Sequence, residues 1–264
     1  MGNMYYLLCL NLLAVLAFMA GVWGLSLVWK NASIADIFWG LGFVLVAWLT
    51  FSQTQGFLGR KVLVTLLTTA WGLRLSSHIL WRNWGKGEDR RYQAWRAARG
   101  ANFWWVSLFT IFLTQAVLLW LISLAVQLAQ FPPKPASVTG LDFLGALLWL
   151  TGFMFEAVSD WQLARFKADP ANHGRVMNRG LWAYSRHPNY FGETLIWWGL
   201  FVIALATPYG WWALISPVVI TFLLLKVSGV TLLEKDIVER RPEYREYLET
   251  TSAFIPWFPK RRPQ

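Results

Sequence analysis

Residues 5–29 read YYLLCLNLLAVLAFMAGVWGLSLVW, a run without one charged side chain. At 1.5 Å of rise per residue, about 20 apolar residues in a helix cross a hydrocarbon core of about 30 Å. A soluble helix of this length would carry a polar face opposite its apolar stripe, and this run has none. Comparable runs recur near 33–51, 61–81, 103–129, 140–164, 193–207 and 211–233. Hydrophobic residues make up 56% of the 264 positions and charged ones 14%, against roughly a quarter charged in a soluble domain. The expected fold class is all-α: a polytopic integral membrane protein, a bundle of seven transmembrane helices forming a single domain over 1–264.

Turn residues separate the runs at Ser52-Gln53-Thr54-Gln55-Gly56, Phe131-Pro132-Pro133-Lys134-Pro135 and Thr207-Pro208-Tyr209-Gly210. No internal repeat is visible. The first run has neither a basic leader nor a small-residue cleavage site, so it is read as a retained helix. Lys30, the 82–102 and 165–192 loops and the C-terminal tail together hold 19 of the 24 Lys and Arg. Arg60, Lys61 and Lys134 fall on the opposite side. The positive-inside rule then places the N-terminus outside and the C-terminus in the cytoplasm. The net charge of +10 is thus assigned to membrane lipids and phosphates, with no nucleic acid as partner. Cys9 is the sole cysteine, and His78, His173 and His187 lack a metal-ligand spacing, so neither a disulfide nor a metal site is expected.

Charged groups at membrane depth cost a few kcal/mol or more and call for a partner, a cavity or a ligand. Asp36, Arg74, His78, Glu156, Asp160, Glu193, Lys226 and Glu234 lie within or at the ends of the apolar runs. Glu156 and Asp160 share a helix face, as do Arg74 and His78. Each alone reads equally as a structural ion pair. Their convergence on the cytoplasmic half favours a polar cavity for a phosphorylated cofactor.

Two loops on that side carry further chemistry. The first, Trp81 to Tyr92, offers Arg82, Arg90 and Arg91 as phosphate donors, Glu88 or Asp89 as acceptors for ribose hydroxyls, and Trp84 or Tyr92 for stacking on a base. It reads equally as a solvated basic loop. The second is GLWAYSRHPNYFGE at 180–193, which packs Arg186, His187, Asn189, Tyr190 and Glu193 around Pro188 where a helix opens. Its composition supports an anion-binding turn. No Gly-x-Gly-x-x-Gly follows a strand, which excludes a Rossmann site.

The 180–193 run resembles the bacterial membrane members of the steroid 5-alpha-reductase family, the DUF1295-like branch, which is related to the sterol delta-14 reductases. Glu234-Lys235-Asp236, Arg241-Pro242-Glu243-Tyr244 and Phe254-Ile255-Pro256-Trp257 downstream share the likeness. It implies a seven-helix reductase that binds NADPH on the cytoplasmic side of a bacterial inner membrane. A lipophilic enone, a 3-oxo-delta-4 steroid in that family, would enter from the bilayer, and no obligate protein partner is implied. The resemblance places Asp160, Arg165, Lys167, Asn189 and Glu193 against the cofactor. Arg74 matches the family's Arg-x-x-x-Tyr pair, here Arg74-x-x-x-His78, and Arg186, His187 and Tyr190 match the bacterial loop. With Arg82, Asp89, Arg91, Tyr92 and Glu234 these form the expected cofactor set. The family's ketone-polarising Glu falls at or beside Asp36. Its Tyr falls at Trp71, which has no phenolic proton, so Asp36 and His78 are the expected catalytic pair.

A looser form of the loop occurs in isoprenylcysteine carboxyl methyltransferases, making transfer of a methyl group from S-adenosylmethionine the rival enzymatic reading. A transporter or scaffold is the non-enzymatic one, though transport folds commonly show a repeat.

Overall fold

A computed structural model describes residues 2–227, 229–230, 234, 237–240 and 242–260, and all regular structure among them is helical. Two compact units divide the chain: Met1–Asp142 with Ile203–Ser216, and Phe143–Val202 with Pro217–Gln264.

In the first unit α1 (Gly2–Val28), α2 (Ile34–Gln53) and α3 (Leu58–Asn83) follow the first three apolar runs. α1 ends where Lys30 turns to a positive φ of 50°. That turn lets Asn31 N–H donate to the Ser26 carbonyl at 3.0 Å, which closes the last helical turn. α2 and α3 approach at Gly40 and Gly72. A Cβ on Gly72 would lie 2.6 Å from the Gly40 carbonyl oxygen, so only glycine permits this spacing. Small residues set such contacts in membranes because backbones must come close to gain dispersion energy.

The 82–102 segment, expected as a loop, contains α4 (Arg90–Arg99), and the fourth run is broken into α5 (Phe103–Ser107), a π-helical turn (Leu108–Leu113), α6 (Thr114–Ile122) and α7 (Leu124–Gln130). A neutral polar seam runs through this unit. The Asn11 amide donates to Thr50 Oγ1 and Gln127 Oε1, both at 2.9 Å, and Gln127 Nε2 donates to Ser123 Oγ at 2.8 Å. All four residues are fully buried. Arg60 is buried too: its Nε and a terminal nitrogen donate to the Asp142 carboxylate at 2.6 and 2.9 Å.

In the second unit α8 (Gly140–Ala168) carries Glu156 and Asp160, and α9 (Pro188–Ala204) carries Asn189 and Glu193. Their glycines meet in register. A Cβ on Gly152 would fall 2.5 Å from the Gly192 oxygen, and one on Gly199 would fall 2.6 Å from the Gly145 oxygen. The 3-10 turn Gly210–Leu214, which belongs to the first unit, leads into α10 (Ile215–Phe222), and α11 (Ile237–Arg240) and α12 (Tyr244–Thr250) of the second unit follow.

Five helical stretches among the described residues are long and apolar enough to cross a membrane: Met4–Val28, Ile34–Gln53, Arg90–Ile122, Gly140–Ala168 and Gly210–Val227. The chain therefore has the make-up of a multi-pass membrane protein. The other two expected spans are helical as well. α3 carries Arg60, Lys61, Arg74 and Arg82, and α9 has only 17 residues. The sixth span starts earlier than expected, at Pro188 rather than 193. Pro188 has no N–H to leave unsatisfied and a φ already suited to a helix start. Ser228 and 231–233 of the seventh expected span lie outside the described residues. So do Lys235, Asp236 and Arg241, which the resemblance used.

Candidate functional site

The 180–193 loop is built by a sequence of local choices. Gly180 sits at φ 60°, where a Cβ would also strike the Gln162 amide. Gln162 Oε1 accepts from Leu181 N–H at 3.0 Å, and the Trp182 indole donates to the Ser159 carbonyl at 3.0 Å. These bonds pin the 3-10 turn Gly180–Ala183 to α8. The Ser185 hydroxyl donates to the Phe254 carbonyl at 2.8 Å and accepts from His187 N–H at 3.1 Å. It thereby caps the turn from which α9 starts.

Arg186 and Glu234 form the centre of this loop. Arg186 donates to both Glu234 oxygens, at 2.7 and 3.1 Å. Its remaining terminal nitrogen donates to the Leu248 and Thr251 carbonyls at 3.1 and 2.6 Å. His187 Nε2 lies 2.9 Å from Glu234 Oε1, so that nitrogen carries the proton. The Tyr244 hydroxyl approaches the same oxygen at 3.4 Å. Burial alone would raise the Glu234 pKa, but the bonds from His187 and Arg186 outweigh it and hold the pKa at about 2. Burial beside this carboxylate also pushes the Tyr244 phenol well up. The His187 ring stacks on Tyr190 with centroids 5.5 Å apart.

Beside this hub lies a second contact. The Gly152–Gly192 approach brings Gly192 against the backbone of Glu156. Asp160 is one helical turn beyond Glu156, and Asn189 is three residues before Gly192. Asn189 Nδ2 donates to Asp160 Oδ1 at 3.2 Å, while Asn189 Oδ1 is buried with no hydrogen-bond partner. The amide orientation follows from the carboxylate, which can only accept. Asp160 is 8% exposed and Glu156 3%. Both, with Tyr190 and Glu193, have further partners. Arg165 and Lys167 are exposed on α8, the Arg165 guanidinium lying 5.6 Å from the Trp161 ring centre.

In the first unit the remaining expected residues form a different cluster. Asp36 accepts from the Arg91 guanidinium at 3.0 Å and from the Tyr92 hydroxyl at 2.7 Å. Asp89 caps α4, accepting from Arg91 N–H at 2.9 Å and from its side chain at 3.0 Å. Glu88 accepts from Arg96 twice, at 2.9 and 2.8 Å, and from Ala32 N–H at 2.7 Å. Burial would raise the pKa of Glu88, and likewise of Asp89. The arginines and backbone N–H groups win and lower both. Together these bonds clasp the 30–33 turn to the head of α4. Arg82 is exposed and reaches Asn83 at 3.4 Å. Arg74 and His78 are half-buried on α3 and have partners of their own. Trp71 is fully buried, its ring edge-on to Phe43 at 5.4 Å, which is the role of a packing residue.

Three features were not singled out in the sequence. Tyr92 bonds Asp36 across 56 positions and Glu234 bonds Arg186 across 48, distances at which no local pattern operates. The third is a polar cavity of about 600 Å³ in the second unit, lined by Asn172, Arg175, Asn178, Arg179, Glu243, Glu246 and Tyr247 among others. None of the expected cofactor residues lines it. The density of Asn and Arg in 172–179 was the available signal.

A family model described as "Protein of unknown function (DUF1295)" matches residues 22–251. That range takes in the clasp, the Asn189–Asp160 contact and the Arg186–Glu234 hub. The uncharacterized protein C594.04c of Schizosaccharomyces pombe is 25% identical over 278 residues, covering 92% of this chain and 78% of that protein. No solved structure gives a significant match. With most of its length matched, the chain belongs to the DUF1295 family.

Proposed function

We propose that this chain is an NADPH-dependent membrane oxidoreductase reducing the carbon–carbon double bond of a lipophilic enone of the 3-oxo-delta-4 steroid type. The reading includes seven membrane spans, a cytoplasmic C-terminus and a cofactor site on the cytoplasmic side. One observation carries it: the buried, unpartnered Asn189 Oδ1 next to Asp160. A buried acceptor without a donor costs about 1–3 kcal/mol, a cost that a ligand donor removes. The amide and hydroxyl donors of a nicotinamide nucleotide are of that kind. Asn189, Asp160 and Glu193 would hold the cofactor, and the Arg186–Glu234 hub would fix the loop that presents them.

When bound, NADPH supplies the hydride. The chain's own task is to exclude water and to place a proton-bearing group at the ketone oxygen, where negative charge grows as the double bond is reduced. Losing one such donor typically costs about 100-fold or more in rate. Trp71 cannot serve. The Tyr92 hydroxyl, held on Asp36, is a phenol–carboxylate pair of the required chemistry, and His78 is the other donor the sequence offers.

The test is a thermal-stability titration of the purified protein with NADPH, NADH and S-adenosylmethionine. A ligand at 100 times its Kd, bound only by the native state, adds about 2.7 kcal/mol. NADPH is expected to raise the melting temperature. Asn189→Ala and Glu193→Ala should shrink that rise while leaving the ligand-free protein folded. Stabilisation by S-adenosylmethionine alone would make the chain a methyltransferase. As the chemical check, Asp36→Asn should lose turnover of a 4-en-3-one steroid and keep the NADPH response.

A further inference from the structure

The end of α4 and the helix after it form a groove in the first unit. Trp95, Ala98 and Arg99 share one face of α4, at spacings of three and four. Gly100, at φ 52°, ends that helix. Phe103 and Val106 of α5, with Thr110 and Ile111 of the π-helical turn, complete a cavity of about 240 Å³. Phe103 and Ile111 are buried. The Thr110 hydroxyl donates to the Val106 carbonyl at 2.9 Å, so the wall is apolar and offers no backbone ladder to a peptide.

The charges of α4 are not spent equally. Arg91 is taken by Asp36 and Asp89. Arg96 is taken by Glu88 and lies 4.3 Å from the centre of the Phe103 ring. The Arg99 guanidinium, exposed at the rim of the groove, makes no hydrogen bond or ion pair among the described residues. α4 itself contains no acidic residue. Trp95, 51% exposed, lines the groove, and Trp104 and Trp105 of α5 are 56% and 45% exposed. Tryptophan gathers at the headgroup level of a bilayer.

We propose that this groove binds one acidic glycerophospholipid, its acyl chain between the α4 and α5 faces and its phosphate on the Arg99 guanidinium. A planar guanidinium suits a phosphate bidentately. With Arg91 and Arg96 neutralised by carboxylates and Arg99 left over, the rim favours a headgroup with net negative charge over one that also bears choline. This site is separate from the cofactor reading, and its test does not involve turnover.

Purified protein is equilibrated in mixed micelles with equal phosphatidylglycerol and phosphatidylcholine, and native mass spectrometry counts the lipid retained. Wild type should hold one phosphatidylglycerol in preference to phosphatidylcholine by roughly fivefold, the ratio given by ~1 kcal/mol for one arginine at an anionic surface. Arg99→Gln should erase the preference. Ala98→Phe fills the groove from an exposed position and should erase retention of both lipids. Equal retention of the two lipids by wild type, or undiminished phosphatidylglycerol in Ala98→Phe, overturns the proposal. Displacement of the lipid by a 4-en-3-one steroid also overturns it, because the groove would then admit substrate.

Discussion

The carboxylates gathered around α4 and the carboxylate of Glu234 all meet arginine, yet the two clusters differ in the surroundings of the amide oxygen each leaves without a donor. In the first unit Asp36, Glu88 and Asp89 are matched by Arg91, Arg96, Tyr92 and backbone N–H groups. The carboxylates and their donors close on each other, and the result is a clasp, while Gln115, whose amide nitrogen reaches the Tyr92 hydroxyl at 3.5 Å, keeps a buried Oε1 without a donor. In the second unit Glu234 is likewise satisfied by Arg186 and His187, but the neighbouring Asn189 Oδ1 is left without a donor. Each cluster thus adjoins one unfilled amide oxygen, and the one on Asn189 is bonded through its own amide to a second expected cofactor residue, Asp160, which is where to look for a ligand. Buried charges find protein partners because leaving one unpaired costs several kcal/mol. A neutral amide oxygen can stay unpaired at lower cost, so it is the atom that can wait for a ligand.

Arg186→Met probes the deeper of the two clusters and should have the largest effect. It strips Glu234 of its bidentate partner and two carbonyls of their donor, and breaking a buried pair from one side costs about 3–5 kcal/mol. Denaturant or thermal unfolding in detergent measures this. A loss no larger than that of an exposed Arg→Met control on α8, such as Arg165→Met, would remove the hub from the architecture. The same cluster predicts a pH dependence. Glutamate in an unfolded chain titrates near 4.3, and Glu234 in the fold titrates at about 2. Its folded pKa is the lower one, so its contribution is full above the unfolded value and is lost as pH falls toward 2. Between pH 5 and pH 3 on the order of one proton's linkage should therefore vanish from the melting curve of Glu234→Gln. An unchanged acid slope in that variant would contradict the pairing.

Much of the fold was readable in the sequence because the bilayer, rather than the partner helix, decides where apolar runs lie. Runs such as 5–29 and 33–51 became α1 and α2 for that reason alone. The pairing of charges was not readable. It depends on helix register, and Gly40, Gly72, Gly152 and Gly192 set that register through backbone contacts without a local signature. Asp36 and Arg91 were both singled out, but nothing in their spacing says that they meet. The start of α9 could have been placed correctly, since Pro188 after Ser185 is a helix-opening pattern. The resemblance put Arg186 and His187 with the cofactor-facing residues, and the structure gives both to Glu234. Asn189 alone combines the expected position with an unfilled acceptor.

Glu88→Gln tests the clasp and should cost less than Arg186→Met. Glu88 is buried, at 8% side-chain exposure, but Arg96 is 37% exposed and can regain water when its partner's charge is removed. One charged hydrogen-bond pair becomes a neutral one, a loss of about 1–2 kcal/mol. The turn at 30–33 should loosen with it, visible as faster amide exchange at Ala32, whose N–H donates to Glu88. If Glu88→Gln destabilised the protein as much as Arg186→Met, the contrast between a surface clasp and a buried hub would fail.

The smallest effect is expected where the clasp meets α1, and its sign is the informative part. Lys30 holds φ 50°, a left-handed conformation in which the Cβ of an L-residue crowds its own carbonyl at a cost of about 1–2 kcal/mol. Glycine removes that crowding, as it does at most helix ends of this type. It also adds about 0.4–1 kcal/mol of chain entropy to the unfolded state, which works against the fold. The balance favours Lys30→Gly by up to about 1 kcal/mol, read as a rise in melting temperature. The Asn31-to-Ser26 bond that closes α1 depends on this turn, and Asn31 Oδ1 in turn accepts from Ser33 N–H at 3.0 Å, so relief of strain at residue 30 should tighten the clasp as well. A fall in stability would mean that the lysine side chain is held by something stronger than the turn it strains, and the clasp would then extend to the end of α1.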